Sequence, residues 1–376
     1  MVKNTKIKEL IITLALAIAL LFFVVIAIFQ IYEEASITGE GERIVLGVSG
    51  ASTSPLGSAM KGEPSAVGEH VAIVSGGNFT VVDKNANILT EGNFMLSDPI
   101  MHTKGKYCVA GDYRGRTVRM YKEGEVVSEI KCDGRVISLV TNANGFFAVA
   151  TEETGYNAVI TVYHKNGEAI YRYRISKNTF IDMDISANNR TLIVIEANVD
   201  LTTPGSNGVM AEFNREDGQS EFFVESNLYV NVHFNKNGSF VCLGSNGADF
   251  YRSDGAKAGS VSFSGRSLHH ADITEDDIFC FAFEGSEDAP VGSSVLEIYD
   301  KNAQLRGKTA FSDKIEHISV NGGYVGVAHG KVFDVVKPNG KIKKSFEAAS
   351  PIKSAIPFKG GSSALIFAGG NTTIMR

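Results

Sequence analysis

Tryptophan is absent from this 376-residue sequence, and proline (8) and cysteine (4) are scarce. Basic charge is also in short supply: beyond residue 31 there are 33 basic against 41 acidic residues, and no basic patch with interleaved aromatics occurs. An acidic exterior of this kind repels phosphate backbones and anionic headgroups, which excludes a nucleic-acid or peripheral lipid-binding protein. The four cysteines, Cys108, Cys132, Cys242 and Cys280, show no paired spacing, and three of them lie inside apolar runs (KYCVAG, SFVCLG, IFCFAF). They read as buried free thiols, with a disulfide as the alternative that export would permit.

Long apolar runs are missing too, with one exception. Residues 10–31, LIITLALAIALLFFVVIAIFQI, hold no charged side chain over 22 positions. At about 1.5 Å rise per residue such a run spans a hydrocarbon core of about 30 Å. It exceeds the apolar core of a cleaved signal peptide and runs into Gln30, Tyr32, Glu33 and Glu34 without a small-residue cleavage site. A retained transmembrane helix is the expectation. Lys3, Lys6 and Lys8 precede the run and Glu33, Glu34, Glu40 and Glu42 follow it, so the N-terminus should stay in the cytoplasm and the remainder be exported. No cysteine near the run offers a lipid attachment point.

What the sequence does have is glycine, 39 residues, between short bursts of Val, Ile, Phe, Tyr and Thr. That is the make-up of many short strands joined by tight turns. The bursts repeat: HVAIVSGG from His70, YCVAGDYRG from Tyr107, FFAVATEE from Phe146, TLIVIEAN from Thr191, SFVCLGSNG from Ser239, DIFCFAFEG from Asp277, YVGVAHG from Tyr324 and ALIFAGG from Ala364. Successive starts lie 37 to 48 residues apart, the period of a four-stranded propeller blade. Each copy is followed by a second run and a turn, as in ITVYHKNGE, and preceded by a further run, as in RVISLV, IDMDIS or IEHISV. The last copy ends in NTTIMR with no fourth strand, while RIVLGV, residues 43–48, is a strand-like run without a place before the first copy. Pairing the two closes the ring. The expectation is an all-β, eight-bladed β-propeller, with seven blades as the alternative. It divides into a cytoplasmic tail (1–9), a transmembrane helix (10–31), a linker (32–42) and a propeller (43–376) closed by strand 43–48.

The hairpin rhythm of ITVYHKNGEAIYRYR and VFDVVKPNGKIKKSF resembles the broad propeller group that includes the quinoprotein-like and WD40-like folds. In layout the chain resembles single-pass propeller proteins of Gram-positive bacteria. That resemblance implies a fold and not an activity. Without Trp the chain cannot carry the docking motifs of quinone-cofactor propellers, the Trp-Asp ends of typical WD40 blades or the sialidase box ending in Trp.

Candidate chemistry is thin. His102, His233, His269, His270 and His317 fall in or beside the innermost strands and could ring a metal, but none pairs with a carboxylate at a ligand spacing. They are read as structural. The acidic turns at Asp83, Asn214 and Asp300 are too short for a calcium loop and read as hairpins. The Gly- and Ser-rich stretch 47–68 lacks the Lys-Ser/Thr ending of a phosphate loop. Asp182 and Asp184 share one face of a strand and are the best carboxylate pair if the protein is an enzyme. No catalytic, cofactor or metal site is assigned. The expected function is an extracytoplasmic, membrane-anchored scaffold that binds another envelope protein. Glycan or ligand binding is the alternative, and hydrolase or lyase activity the more distant one.

Overall fold

A computed structural model describes residues 43–45, 63–75, 77–90, 93–198, 205–213, 219–225, 227–273, 277–285 and 291–376. The apolar run 10–31 lies outside them, as do residues 46–48 and the turn at Asn214. Among the described residues, no helix is long and apolar enough to cross a membrane.

The strands form eight separate antiparallel sheets. Seven have four strands, and blades 1 to 7 follow the chain as residues 65–82, 99–131, 135–175, 179–225, 229–262, 268–311 and 315–347. The eighth combines Ile352–Pro357, Ala364–Ala368 and Asn371–Met375 with Arg43–Val45, which pairs in register Arg43 to Met375 and Val45 to Thr373. Eight blades, and not seven, make the ring. One departure from four strands per unit occurs in blade 1, which has three (Ser65–Val67, His70–Ser75, Asn78–Val82). Its outer edge is covered by two single bridges, Val82 to Ile88 and Asn78 to Met95.

The apolar runs explain the packing. In a strand, alternate side chains point to opposite faces, so a run that is apolar throughout feeds two cores. Phe279, Phe281 and Phe283 pack toward blade 5, whereas Cys280 and Ala282 pack toward blade 7. The same division splits Val71 and Ile73 from Ala72 and Val74. Eight buried clusters result, one at each junction between neighbouring blades. With no Trp available, the junction of blades 5 and 6 is filled by Phe250, Phe263, Phe279, Phe281 and Phe283 in edge-to-face contacts.

The outer hairpins of blades 1, 3, 5, 6 and 7 share one turn. In HKNGE the Asn166 side chain accepts the Glu168 N–H, Gly167 takes a left-handed φ of 88°, and the ladder shifts register beside it. In DKNAN and DKNAQ the left-handed position is occupied by Ala86 (φ 71°) and Ala303 (φ 61°), residues that enter this region at a cost.

Every innermost strand runs in the same direction. The turns that follow them define an upper face, and the turns after each second strand define a lower face.

Candidate functional site

A channel of about 1210 Å³ runs along the innermost strands, walled by blades 1, 2, 6, 7 and 8 and by His233 and Lys236 of blade 5. An innermost strand bonds its own blade along one edge only, so the other edge presents backbone groups that need partners. Side chains of neighbouring blades supply them. The Thr141 N–H donates to His102 Nδ1 at 3.1 Å, and the Val320 N–H donates to Asp272 Oδ2 at 2.7 Å. Asp182 Oδ2 accepts the Val232 N–H at 2.9 Å, and Asp184 Oδ2 accepts the Phe234 N–H at 2.7 Å. Asn142 with the Ser186 carbonyl and Asn321 with the Pro357 carbonyl extend the pattern to five of the eight junctions, and Ser65 bonds the Thr103 side chain at a sixth.

Both carboxylates singled out in the sequence therefore tie blade 4 to blade 5, but they differ in environment. Asp182 is half-buried and also accepts from Asn231 at 2.9 Å. Burial pushes its carboxyl up to about 7 against the N–H bonds of Val232 and Met183. Asp184 is fully enclosed, and its Oδ2 lies 2.9 Å from Lys104 Nζ. Burial is the largest influence and would raise its pKa, yet the Lys104 ammonium, the neighbouring imidazoles of His233 and His102 and the Phe234 N–H together hold the carboxyl below its ordinary range.

Lys104 was not among the sequence candidates. From blade 2 it reaches past blade 3, donating to Asp184 of blade 4 and, at 3.1 Å, to the Phe234 carbonyl of blade 5. Its side chain is only 4% exposed. The available signal was a lysine ending an innermost strand in MHTKGKYC, where the other innermost strands end in uncharged residues.

The five histidines separate into two groups. His102 and His233 flank the Lys104–Asp184 pair, with His233 Nδ1 3.8 Å from Asp184. Burial keeps both neutral, with His102 pushed down to about 4 and His233 well below its usual value. The Thr141 bond makes His102 Nδ1 an acceptor, which suits the neutral ring. His269, His270 and His317 belong to blades 6 and 7. His317 Nε2 stands 3.7 Å from Glu63, and that contact holds the Glu63 carboxyl low. Burial lowers His270, and the charge of His317 adds to the effect. Asp272, in the same strand as His270, is raised by burial to about 6. No group of three His, Cys, Asp or Glu among the described residues is arranged to hold a metal.

The acidic turns are Asx turns: Asp83 Oδ1 accepts from Asn85 and Asn87, and Asp300 Oδ1 from Asn302 and Gln304. All four cysteines are buried free thiols.

A second surface was not visible in the sequence. Of the large apolar side chains exposed outside the strands, Met95, Tyr113, Tyr156, Leu228 and Val291 fall at the lower face and Ile88 at the upper one. Tyr113 and Tyr156 occupy adjacent blades 2 and 3, with the guanidinium groups of Arg114 and Arg174 stacked at 5.6 and 5.8 Å from their rings. Neither tyrosine lines the channel.

A family model described as a family of unknown function, DUF5711, matches residues 52–376. The chain belongs to the DUF5711 family. The match covers blades 1 to 7 and the three C-terminal strands of blade 8, and it begins after Arg43–Val45. No curated protein matches the sequence. Among solved structures, the C-terminal WD40 domain of Sif2 is similar at a TM-score of 0.59 and 10% identity, covering 91% of this chain and 99% of that one. The Dos1 propeller is similar at 0.54 and 12%, covering 89% and 94%. At such identities the likeness shows that this DUF5711 chain has the propeller fold and transfers no activity.

Proposed function

We propose that this DUF5711 protein is a membrane-anchored scaffold of the cell envelope whose propeller lies outside the cytoplasm and binds another protein. The observation that carries this reading is how the channel residues are used. Asp182, Asp184, Asp272 and His102, the groups best suited to acid–base chemistry, each accept a backbone N–H from the neighbouring blade. The ring thereby becomes a rigid platform. Its lower face carries the Tyr and Arg side chains that dominate protein–protein contacts when desolvated. The uncharged run 10–31, with lysines before it and glutamates after it, supports the anchor and its orientation.

Two measurements test the proposal. A reporter fused at Arg376 should be active outside the cytoplasm, and cytoplasmic activity refutes the topology. A photo-crosslinking amino acid placed at Tyr113 or Tyr156 in intact cells should give a discrete protein adduct. Absence of an adduct at both sites refutes the lower face as the binding surface.

A further inference from the structure

The register of the closing strand fixes where the chain enters the propeller. Asn371–Met375 rises from the lower-face turn at Gly369 and Gly370 toward the upper face, and Arg43 pairs with its last residue, Met375. The chain therefore enters the ring at the upper face, where Arg43 begins the closing strand. Arg376 confirms the level, since its guanidinium bonds the Lys84 carbonyl and the Asn85 side chain in an upper turn of blade 1.

Only residues 32–42 separate this point from the apolar run, a tether of 11 residues that reaches at most about 40 Å when fully extended. Innermost strands of six or seven residues make the blades about 23 Å tall before turns are added. For the lower face to lie on the bilayer, the tether would have to reverse at residue 42 and descend the whole rim, which consumes more than half its reach. With the upper face inward it leaves the ring in the direction of the membrane.

We infer that the propeller is held with its upper face toward the bilayer and its lower face, with Tyr113 and Tyr156, turned outward. This rests on the anchor proposed above. The channel mouth facing the headgroups is then the one bordered by Lys106, Lys236 and Lys359, two of which are paired with Glu123 and Glu69 on the same rim. The exposed apolar side chains of the lower face are left available to a partner that approaches from outside and not from within the membrane.

The four native thiols are buried, and burial raises the pKa of each, so they resist labelling and single-site fluorophores can be introduced in the full-length chain. Upper-face reporters are Lys84→Cys, Lys165→Cys and Asn302→Cys, and lower-face reporters are Arg114→Cys, Lys177→Cys and Lys331→Cys, all at exposed positions on different blades. In vesicles containing lipid with a nitroxide on the headgroup, quenching should be several-fold stronger at the upper sites. Equal quenching at the two faces, or stronger quenching at the lower one, overturns the orientation while the anchor stands. Loss of the full-length chain from vesicles under alkaline extraction overturns the anchor, and the orientation with it.

Discussion

Replacing Lys104 by methionine keeps the length of the side chain and removes its charge, leaving Asp184 ionised with a side chain only 2% exposed. The remaining Phe234 and Ile185 N–H bonds satisfy the carboxylate only in part. Breaking a buried pair by removing one partner costs about 3–5 kcal/mol, most of it the uncompensated charge. At about 2 °C per kcal/mol for a domain of this size, Lys104→Met should lower the Tm by about 6–10 °C. The companion Lys104→Met/Asp184→Asn should recover most of that loss. The amide oxygen keeps the bond from the Phe234 N–H, while the NH2 takes the place of the oxygen that accepted the Ile185 N–H, so the recovery stops short of complete. A second readout is the pH dependence of the single variant. Without the ammonium the Asp184 carboxyl rises, so the deficit should shrink as pH falls from 8 to 5 and the buried group takes up a proton. Thermal melts of the three proteins at the two pH values suffice. A single variant that melts within about 1 °C of the parent, or a double variant no better than the single, refutes the cross-channel tie as a source of stability.

Three further expectations follow from the same geometry. Asp182 and Asp272 are raised to about 7 and about 6, so the folded state holds their protons more tightly than the unfolded chain. Their stabilising contribution is complete below the ordinary carboxyl range and is lost as pH climbs to 6–7, so Asp182→Asn/Asp272→Asn should gain stability over the parent at pH 8 relative to pH 4 in urea titrations. A chain starting at Ser49 should be less stable than one starting at Glu40 by about 2–3 kcal/mol, the worth of the backbone bonds of a three-residue pairing, and equal melts would show that Arg43–Val45 does not close the ring. Ala303→Gly should raise stability by about 0.5–1 kcal/mol by relieving a left-handed alanine, and a loss on melting would refute strain at that turn.

The fold was legible because its signal is periodic. Runs such as IFCFAF, apolar on both faces of a strand, make sense only where a sheet is covered on both sides, and eight of them at blade spacing specify the ring. The three-stranded blade 1 was less legible, since bridges at Ile88 and Met95 depend on tertiary placement and leave no alternating pattern. The site was read only in part. Asp182 and Asp184 were found by their spacing, but their partners Val232 and Phe234 are backbone groups about 50 residues away, invisible to any side-chain motif. Lys104 was missed for a related reason: its partner lies 80 residues on, two blades away. The lower-face tyrosines sit in separate turns and become one surface only when neighbouring blades stack.

The pairing of Arg43–Val45 with Asn371–Met375 also sets a constraint on assembly. Nearly every other strand contact joins neighbours in sequence, so each hairpin can form as soon as its own residues emerge. The closing pair is about 330 residues apart, and bringing such ends together in an unstructured chain would oppose folding by about 5 kcal/mol beyond a constant. Successive stacking of the intervening blades removes most of that penalty by carrying the two ends back to one place. The first strand to be synthesised is thus the last to find its neighbour. Until Asn371–Met375 is delivered, the growing arc has an unsealed sheet edge, and ring closure becomes the step in biogenesis that a premature stop would prevent.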